Sequence, residues 1–338
     1  MKVFWSKKVP LGLDVGGHSV KFCSLETSGA SCTVSHGVLC PARTQREAEL
    51  TGAALGQRIH ELMGQIAQVK SGSHWRIYLA LAGPSLSAGY LEFPALTAAQ
   101  LEVAIPTAVA REIPHPLSEV RVFTVPVAAA QQAGGRGIFF VAAPKSALDA
   151  QTKMLSQTGL EIAGCEPALL AMIRGLTRNQ PQTTDEVCAL VSCGFRTTTV
   201  VLLKGGSPYF SRDFRIAGSD FTYAFQMGQQ VSWAEAEEMK LAYDVGEKDF
   251  HIESFVHKWL GEVKRSLDYA AKKFPHWAAQ RVVLTGGSAL WKGLPERLGD
   301  FLQLPVARQQ WQKLKASSAT SPSDIVLYDT ALGLVCRS

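Results

Sequence analysis

The stretch Leu11-Gly12-Leu13-Asp14-Val15-Gly16-Gly17-His18-Ser19-Val20-Lys21 constrains the fold more than any other part of the chain. Leu11, Leu13 and Val15 alternate as in a half-buried strand, and Val20, Phe22 and Leu25 read as its antiparallel return. The Gly16-Gly17 pair predicts a tight turn between them, where positive φ costs little and the backbone can approach a ligand. Exposed N–H groups in such a turn form a nest for phosphate oxygens, and Asp14 at the strand end is placed to hold a hydrated Mg²⁺ beside them. By itself a glycine turn carrying an Asp is usually only a turn, so other segments must decide.

The chain has 338 residues, 46% of them apolar, which allows two domains with their own cores. Its 34 basic and 29 acidic residues give a formal charge of +5, and no basic run exceeds pairs such as Lys7-Lys8 or Lys272-Lys273. That distribution argues against nucleic-acid binding. Seven cysteines without C-x-x-C or metal-type spacing read as reduced, mostly buried thiols of a cytosolic protein. Asp14 breaks the apolar run behind Lys2, Lys7 and Lys8, so no signal peptide is expected, and no apolar stretch is long enough for a membrane span. A soluble, cytoplasmic protein is expected.

Periodicity predicts a strand over 30–39, a helix over 45–69 and a strand over 75–81. A smaller module follows, with strands at 90–93, 120–127 and 138–141, helices at 97–111 and 145–158, and a polar loop over 131–137. Pro167 is read as the first residue of a helix over 167–176. A second cycle then begins: strand 187–191, turn Ser192-Cys193-Gly194-Phe195-Arg196, return strand 197–203, hairpin Gly205-Gly206-Ser207 and strand 209–216. This repeats the strand, glycine turn, strand order of residues 11–25. Helices are expected over 220–246, 250–273, 294–302 and 331–335. A strand over 281–284 ends in Thr285-Gly286-Gly287-Ser288, a strand stub lies at 305–306, and a Ser/Thr-rich loop covers 316–323.

Three glycine-centred turns, each after a strand, resemble the actin-like ATPase superfamily. The segments Leu11–Glu26, Phe93–Val120 with its Ile113-Pro114-His115-Pro116-Leu117 turn, Phe139–Pro167, Tyr209–Lys240 with Ala236-Glu237-Glu238-Met239-Lys240, and Val282–Val306 narrow the resemblance to the PilM family of type IV pilus assembly proteins. It implies an α/β actin-like fold of two RNase H-like lobes with an inserted α+β subdomain, as in FtsA and PilM. The expected division is 1–75 first lobe, 76–162 inserted subdomain, 163–185 first lobe, 186–324 second lobe, and 325–338 a helix returning to the first lobe. The amphipathic membrane helix that ends FtsA has no counterpart in Gly333-Leu334-Val335-Cys336-Arg337-Ser338.

The resemblance implies ATP and Mg²⁺ as cofactors, bound in the cleft of such a fold. Asp14, Gly16, Gly17, His18, Ser19 and Lys21 match the first phosphate motif, with Asp14 holding Mg²⁺ through water. Lys21 is as readily a solvated strand residue. Gly194, Phe195, Arg196 and Thr197 match the second motif, although Ser192 stands where relatives often carry Asp or Asn. That change removes an anchor for hydrated Mg²⁺ and weakens hydrolysis more than binding. Gly218, Glu237, Lys240, Gly286, Gly287 and Ser288 match the adenosine side, where Glu237 and Lys240, three apart on a helix, share a face. Without the resemblance that pair would be an ordinary surface pair. Glu166 corresponds to the hydrolytic carboxylate of related chaperones, or is simply a carboxylate at a helix N-terminus. Trp233, Trp259, Trp277 and Trp291 read as core or interface residues.

By the same resemblance, the inserted subdomain receives the N-terminal cytoplasmic peptide of the inner-membrane protein PilN. The expected role is a cytoplasmic ATP-binding adaptor with weak or no hydrolysis, held near the inner membrane through that partner. Self-association is compatible with it. An FtsA-like or filament-forming ATPase and a nucleotide-free GspL-like scaffold are the alternatives. A small-molecule kinase on this fold would need a catalytic Asp facing a substrate cleft and a sugar-binding signature, and the sequence offers neither.

Overall fold

The computed structural model describes residues 9–28, 31–39, 75–83, 85–127, 134–156, 162–247, 250–311, 314–316 and 326–336. The expected helix over 45–69, the start of the loop over 131–137 and all but Ala316 of the loop over 316–323 lie outside them. The first strands are β1 (Val9–Val15), β2 (Val20–Ser28), β3 (Ser31–Leu39), β4 (Trp75–Leu81), β5 (Ser87–Phe93), β6 (Val120–Val127) and β7 (Arg136–Pro144). They are followed by β8 (Ile162–Pro167), β9 (Val187–Cys193), β10 (Thr198–Lys204), β11 (Ser207–Phe214), β12 (Arg281–Thr285), β13 (Val306–Arg308) and β14 (Leu314–Ala316). The described α-helices are α1 (Ala98–Glu112), α2 (Lys145–Ser156), α3 (Ala168–Asn179), α4 (Gly218–Gln229), α5 (Trp233–Ala242), α6 (Phe250–Lys273), α7 (Leu294–Leu302) and α8 (Asp329–Val335).

The chain divides into two compact units, one of residues 1–82, 148–179 and 310–338, the other of 83–147 and 180–309. In the first, a six-stranded sheet runs β14-β3-β2-β1-β4-β8. Leu11 and Leu13 of β1 are fully buried and pack with Val20, Phe22, Ile77 and Leu79, as their alternation requires. Gly12, between them, faces α8: a Cβ there would come within 2.0 Å of the Ala331 carbonyl oxygen. A Cβ on Gly333 would come within 1.9 Å of the Ala171 carbonyl oxygen. Glycine at both positions lets α8 lie against β1 on one side and α3 on the other with backbones in contact. Helix α3 is buried along nearly its whole length, Ala168–Ile173, Gly175 and Leu176 all being enclosed.

In the second unit a five-stranded sheet runs β11-β10-β9-β12-β13. Its connectivity matches that of β3-β2-β1-β4-β8: an antiparallel three-strand meander, then a strand parallel to the first of it, then another parallel neighbour. The repeat legible in the glycine turns is therefore a repeat of whole sheets. Helix α6 presents Ile252, Val256, Trp259, Leu260, Val263, Leu267 and Ala270 to the core at helical spacing. The same unit holds a three-stranded antiparallel sheet β5-β7-β6 with β7 at its centre. Val109 and Ile113, from α1 and its C-terminal end, pack on Val120, Phe140 and Ala142 of that sheet. Thr97 caps α1 in a capping box with Gln100.

Three expectations are corrected. The first is Pro167, which does not open α3 but ends β8 opposite Leu81. It is tolerated there because β8 is an edge strand, so a missing N–H on the open side breaks no ladder bond. The second is the stretch 220–246, which is not one helix. Gln230 turns left-handed with φ 54°, and Ser232 caps a new helix through a reciprocal box with Glu235, giving α4 and α5. Hydrogen bonds to that carboxylate from the Ser232 hydroxyl and from the Ser232 backbone N–H hold Glu235 below its ordinary pKa. The third concerns β4, which pairs with both β1 and β8, so a domain boundary at 75/76 would cut through the first sheet.

Candidate functional site

The turn after β1 closes with Gly16 N–H donating to the Ser19 carbonyl at 3.1 Å, and the turn after β9 closes with Gly194 N–H donating to the Thr197 carbonyl at 3.1 Å. Each turn holds four residues between paired strand ends, Val15↔Val20 and Cys193↔Thr198. The two hairpins are thus the same structure built twice, and position for position Ser192 stands where the first turn has Asp14. Neither Gly16 nor Gly194 has positive φ. The requirement at these sites is close approach: a Cβ on Gly16 would lie 3.0 Å from the Ser19 carbonyl oxygen, and one on Gly194 3.1 Å from that of Thr197. Their N–H groups close the turns, so phosphate oxygens would have to be met by other amides of the same turns.

In the first turn Asp14 and Lys21 sit directly opposite one another on β1 and β2, their charged atoms 3.6 Å apart. Gly17 is exposed, His18 half-buried and Ser19 buried. Both side chains are largely buried, and at that separation the pair is an ion contact without a hydrogen bond. The carboxylate remains able to take another partner.

In the second unit Gly194, Phe195, Thr197, Gly218, Glu237, Lys240, Gly286 and Ser288 are drawn together, while Arg196 is exposed. Gly218 N–H donates to the Gly194 carbonyl at 2.9 Å, and Ser219 N–H to the Phe195 carbonyl at 2.7 Å. The start of α4 is therefore docked on the second turn, with Asp220 accepting from Ala217 N–H at 2.9 Å. A Cβ on Gly218 would press on Ser288 Oγ at 2.9 Å. Gly286 lies at φ 87°, and a Cβ there would come within 2.5 Å of the Cys193 carbonyl oxygen, so only glycine satisfies both conditions. The Phe195 ring meets Trp233 edge-on at 6.2 Å. Burial pushes the Cys193 thiol up, while the Ser288 and Thr198 hydroxyls beside it pull the other way. Thr198 also donates to the Ile216 carbonyl at 2.7 Å and accepts from Trp259 Nε1 at 3.0 Å, fixing the strand that leaves the turn.

Glu237 and Lys240 share a face as the spacing predicts, but they are not a surface pair. Lys240 is 9% exposed. Its ammonium lies 2.8 Å from Glu237 Oε2 and donates to Thr222 Oγ1 at 2.9 Å and to the Gly218 carbonyl at 3.4 Å. The single hydroxyl proton of Thr222 faces two acceptors, the Gly218 carbonyl at 3.0 Å and the Glu237 carboxylate. Sequence reasoning missed Thr222, whose signal was its place one turn after Gly218 on an otherwise apolar helix face.

Glu166 is 4% exposed and held by Arg174, whose guanidinium also donates to the Gly333 carbonyl at 2.9 Å. The described partners of this carboxylate make it a structural anchor between β8, α3 and α8. Trp233, Trp259 and Trp291 are buried, as expected for core residues. Cys23, Cys165, Cys188, Cys193 and Cys336 are in no disulfide, and no group of three or more metal-ligating side chains occurs among the described residues. No helix among the described residues is long and apolar enough to cross a membrane.

A family model described as type IV pilus assembly protein PilM matches residues 12–338. The chain belongs to the PilM family. Among solved structures, a PilM–PilN type IV pilus biogenesis complex is similar with TM-score 0.79 and 23% identity, over 97% of this chain and 98% of that one. Ethanolamine utilization protein EutJ from Carboxydothermus hydrogenoformans follows with TM-score 0.57 and 14% identity, covering 98% and 89%. MreB5 of Spiroplasma citri bound to ADP gives TM-score 0.52 and 12% identity, covering 96% and 95%. No curated protein matches. The PilM-family chain thus has the actin-like ATPase fold, and each of its two paired hairpins opens one of the two RNase H-like sheets of that fold.

Proposed function

We propose that this PilM-type pilus assembly protein is an ATP-binding adaptor that receives the N-terminal cytoplasmic peptide of PilN. The observation that carries the nucleotide part is the duplicated hairpin turn, with α4, Gly286-Gly287-Ser288 and the Glu237–Lys240 pair gathered around the second copy. Lys21, Gly17, His18 and Ser19 would meet phosphate on one turn, and Phe195, Arg196 and Thr197 on the other. Gly218, Glu237, Lys240, Gly286, Gly287 and Ser288 would flank the nucleoside. Mg²⁺ keeps several waters and needs only one or two carboxylates besides the phosphates, so Asp14 alone is compatible with holding it through water. The metal would neutralise phosphate charge. With Ser192 in place of a second carboxylate and Glu166 engaged by Arg174, little is left to orient an attacking water. Occupancy rather than turnover would be the signal.

The peptide part is supported by the family and by the surface of α1. A groove of about 730 Å³ there is lined by Phe93, Leu96, Val103, Ala104, Thr107 and Arg111, among others. Val103 is 74% exposed, a large apolar side chain in need of cover. Such a partner would hold the protein at the inner membrane. A nucleotide-free scaffold is the second reading, favoured by the internal use of the Gly16, Gly194, Gly218 and Ser219 amides. Calorimetric titration with ATP, with and without Mg²⁺, separates the two: a saturable, Mg²⁺-strengthened isotherm supports the first, and no heat at millimolar ATP overturns it.

A further inference from the structure

A second concave site lies apart from these turns. It is formed by Ala88–Tyr90 of β5, Tyr209–Arg212 of β11 and the side of α6 carrying Arg265, Tyr269, Lys273 and Phe274, with a volume of about 460 Å³. Pockets that enclose small ligands run from about 300 to 1,000 Å³. One wall is aromatic. Tyr209 packs edge-on against Phe274 at 5.2 Å and Trp277 at 4.9 Å, and Tyr90 meets the same two rings at 5.5 and 6.1 Å. The Tyr269 ring lies 5.9 Å from Phe210 yet stays 57% exposed, leaving one large ring face beside an apolar wall.

The rim is cationic. Arg212 donates to Glu262 Oε2 at 2.8 Å and to Ser266 Oγ at 3.0 Å, while Arg265 pairs with the other oxygen of Glu262. One carboxylate thus serves two guanidiniums. Lys273, over the Phe274 ring at 5.6 Å, is in no ion pair among the described residues. Arg212, Arg265 and Lys273 stand against Glu262 and, farther along β5, Glu92, whose charge reaches Tyr90, so the rim stays net positive. The Tyr90 hydroxyl is buried without a hydrogen-bond partner among the described residues, an unmet donor at the same place. Burial pushes it up to about 12, so it stays a donor at neutral pH.

We infer that this pocket binds a small anion carried on a planar ring, the ring stacking on Tyr269 and the charge meeting Lys273 and Arg265. The geometry asks for both parts. A bare anion would find exposed cations little different from the rest of the surface, whereas a neutral ring would leave the rim charge unanswered. The site does not rest on the nucleotide reading and shares no residue with it.

The test is calorimetric titration of the full chain with 2-naphthyl phosphate, beside 2-naphthol and inorganic phosphate as its separate halves. The expected result is saturable binding of 2-naphthyl phosphate at least ten-fold tighter than either half. Lys273→Glu and Tyr269→Ser should each weaken it ten-fold or more with the melting temperature unchanged, since both side chains are exposed. Lys273→Gln should give a smaller loss in the same direction, and Asp14→Ala should leave binding as it was. Absence of saturation, equal affinity in the pocket variants, or loss of binding in Asp14→Ala would overturn the assignment.

Discussion

Glu166 and Arg174 meet as a two-point ion pair, Nη1 to Oε1 at 2.7 Å and Nη2 to Oε2 at 2.8 Å. The partly buried guanidinium is held charged chiefly by its hydrogen bonds to that carboxylate, which push it above its already high ordinary value. Removing the guanidinium leaves the buried carboxylate without its two-point partner, at a cost of about 3–5 kcal/mol. Arg174→Ala should therefore lower the melting temperature by many degrees. Glu166→Gln should lower it less and leave ATP affinity within two-fold of the parent. A Glu166→Gln variant that melts normally but loses nucleotide turnover would return this residue to a catalytic role.

Asp14 is the opposite case. Its contact with Lys21 at 3.6 Å is longer than a hydrogen bond, unlike the two-point pair at Glu166. Asp14→Ala should melt close to the parent and lose ten-fold or more in ATP affinity when Mg²⁺ is present, with a smaller loss in EDTA. Equal ATP affinity in parent and variant in Mg²⁺ would remove Asp14 from the site.

Much of this was legible in the sequence because it depends on local rules. Alternation marked β1 and β2, and the Gly16-Gly17 turn lay between them. Strand β6 and helix α6 were read to their residue limits, since apolar period and flanking turns agree there. What stayed hidden depends on partners distant in sequence. Nothing near Glu166 announces that Arg174, two turns into the next helix, will neutralise it, or that the Gly333 carbonyl will share that arginine. Nothing near Lys240 announces Thr222. The split of residues 220–246 was readable from Ser232 and Glu235 as a capping box, but the apolar run across it masked the signal.

Gly286→Glu was the natural way to block an adenosine site from the sequence, and the structure makes it a poor test. Any side chain at 286 suffers positive φ and a clash with the Cys193 carbonyl. Even Gly286→Ala should cost about 1–3 kcal/mol from backbone strain alone. Thermal denaturation should show that loss with or without ATP. An unshifted melt would mean the turn relaxes freely and that glycine is not required for packing there.

The duplicated turn makes the Ser192 prediction specific. Because Ser192 occupies the place of Asp14 in the second hairpin, a carboxylate there would face its turn as Asp14 faces the first. ATP hydrolysis by the parent should be slow, well under one turnover per minute. Ser192→Asp should strengthen the Mg²⁺ dependence of binding. Several turnovers per second in the parent without a partner would contradict the clamp reading of the nucleotide.

The PilN prediction rests on the groove over α1. Val103 is the most exposed large apolar side chain among the described residues, and Ala104, Thr107 and Ala108 around it are small enough to admit another chain. Arg111 is the charged side chain of the lining. Binding there would depend on apolar burial and backbone hydrogen bonds, so raising the salt from 50 to 500 mM should change affinity by less than about three-fold. Val103→Asp places a charge in the groove without touching the core of the three-stranded sheet, whose α1 contacts are Ile105 and Val109. A synthetic PilN N-terminal peptide should bind the parent and lose ten-fold or more with Val103→Asp, while Val109→Ala should destabilise the fold and weaken the peptide only in proportion. If Val103→Asp binds the peptide as the parent does, the peptide sits elsewhere on the molecule. If the folded parent does not bind it at all, the adaptor reading fails and the nucleotide reading must stand by itself.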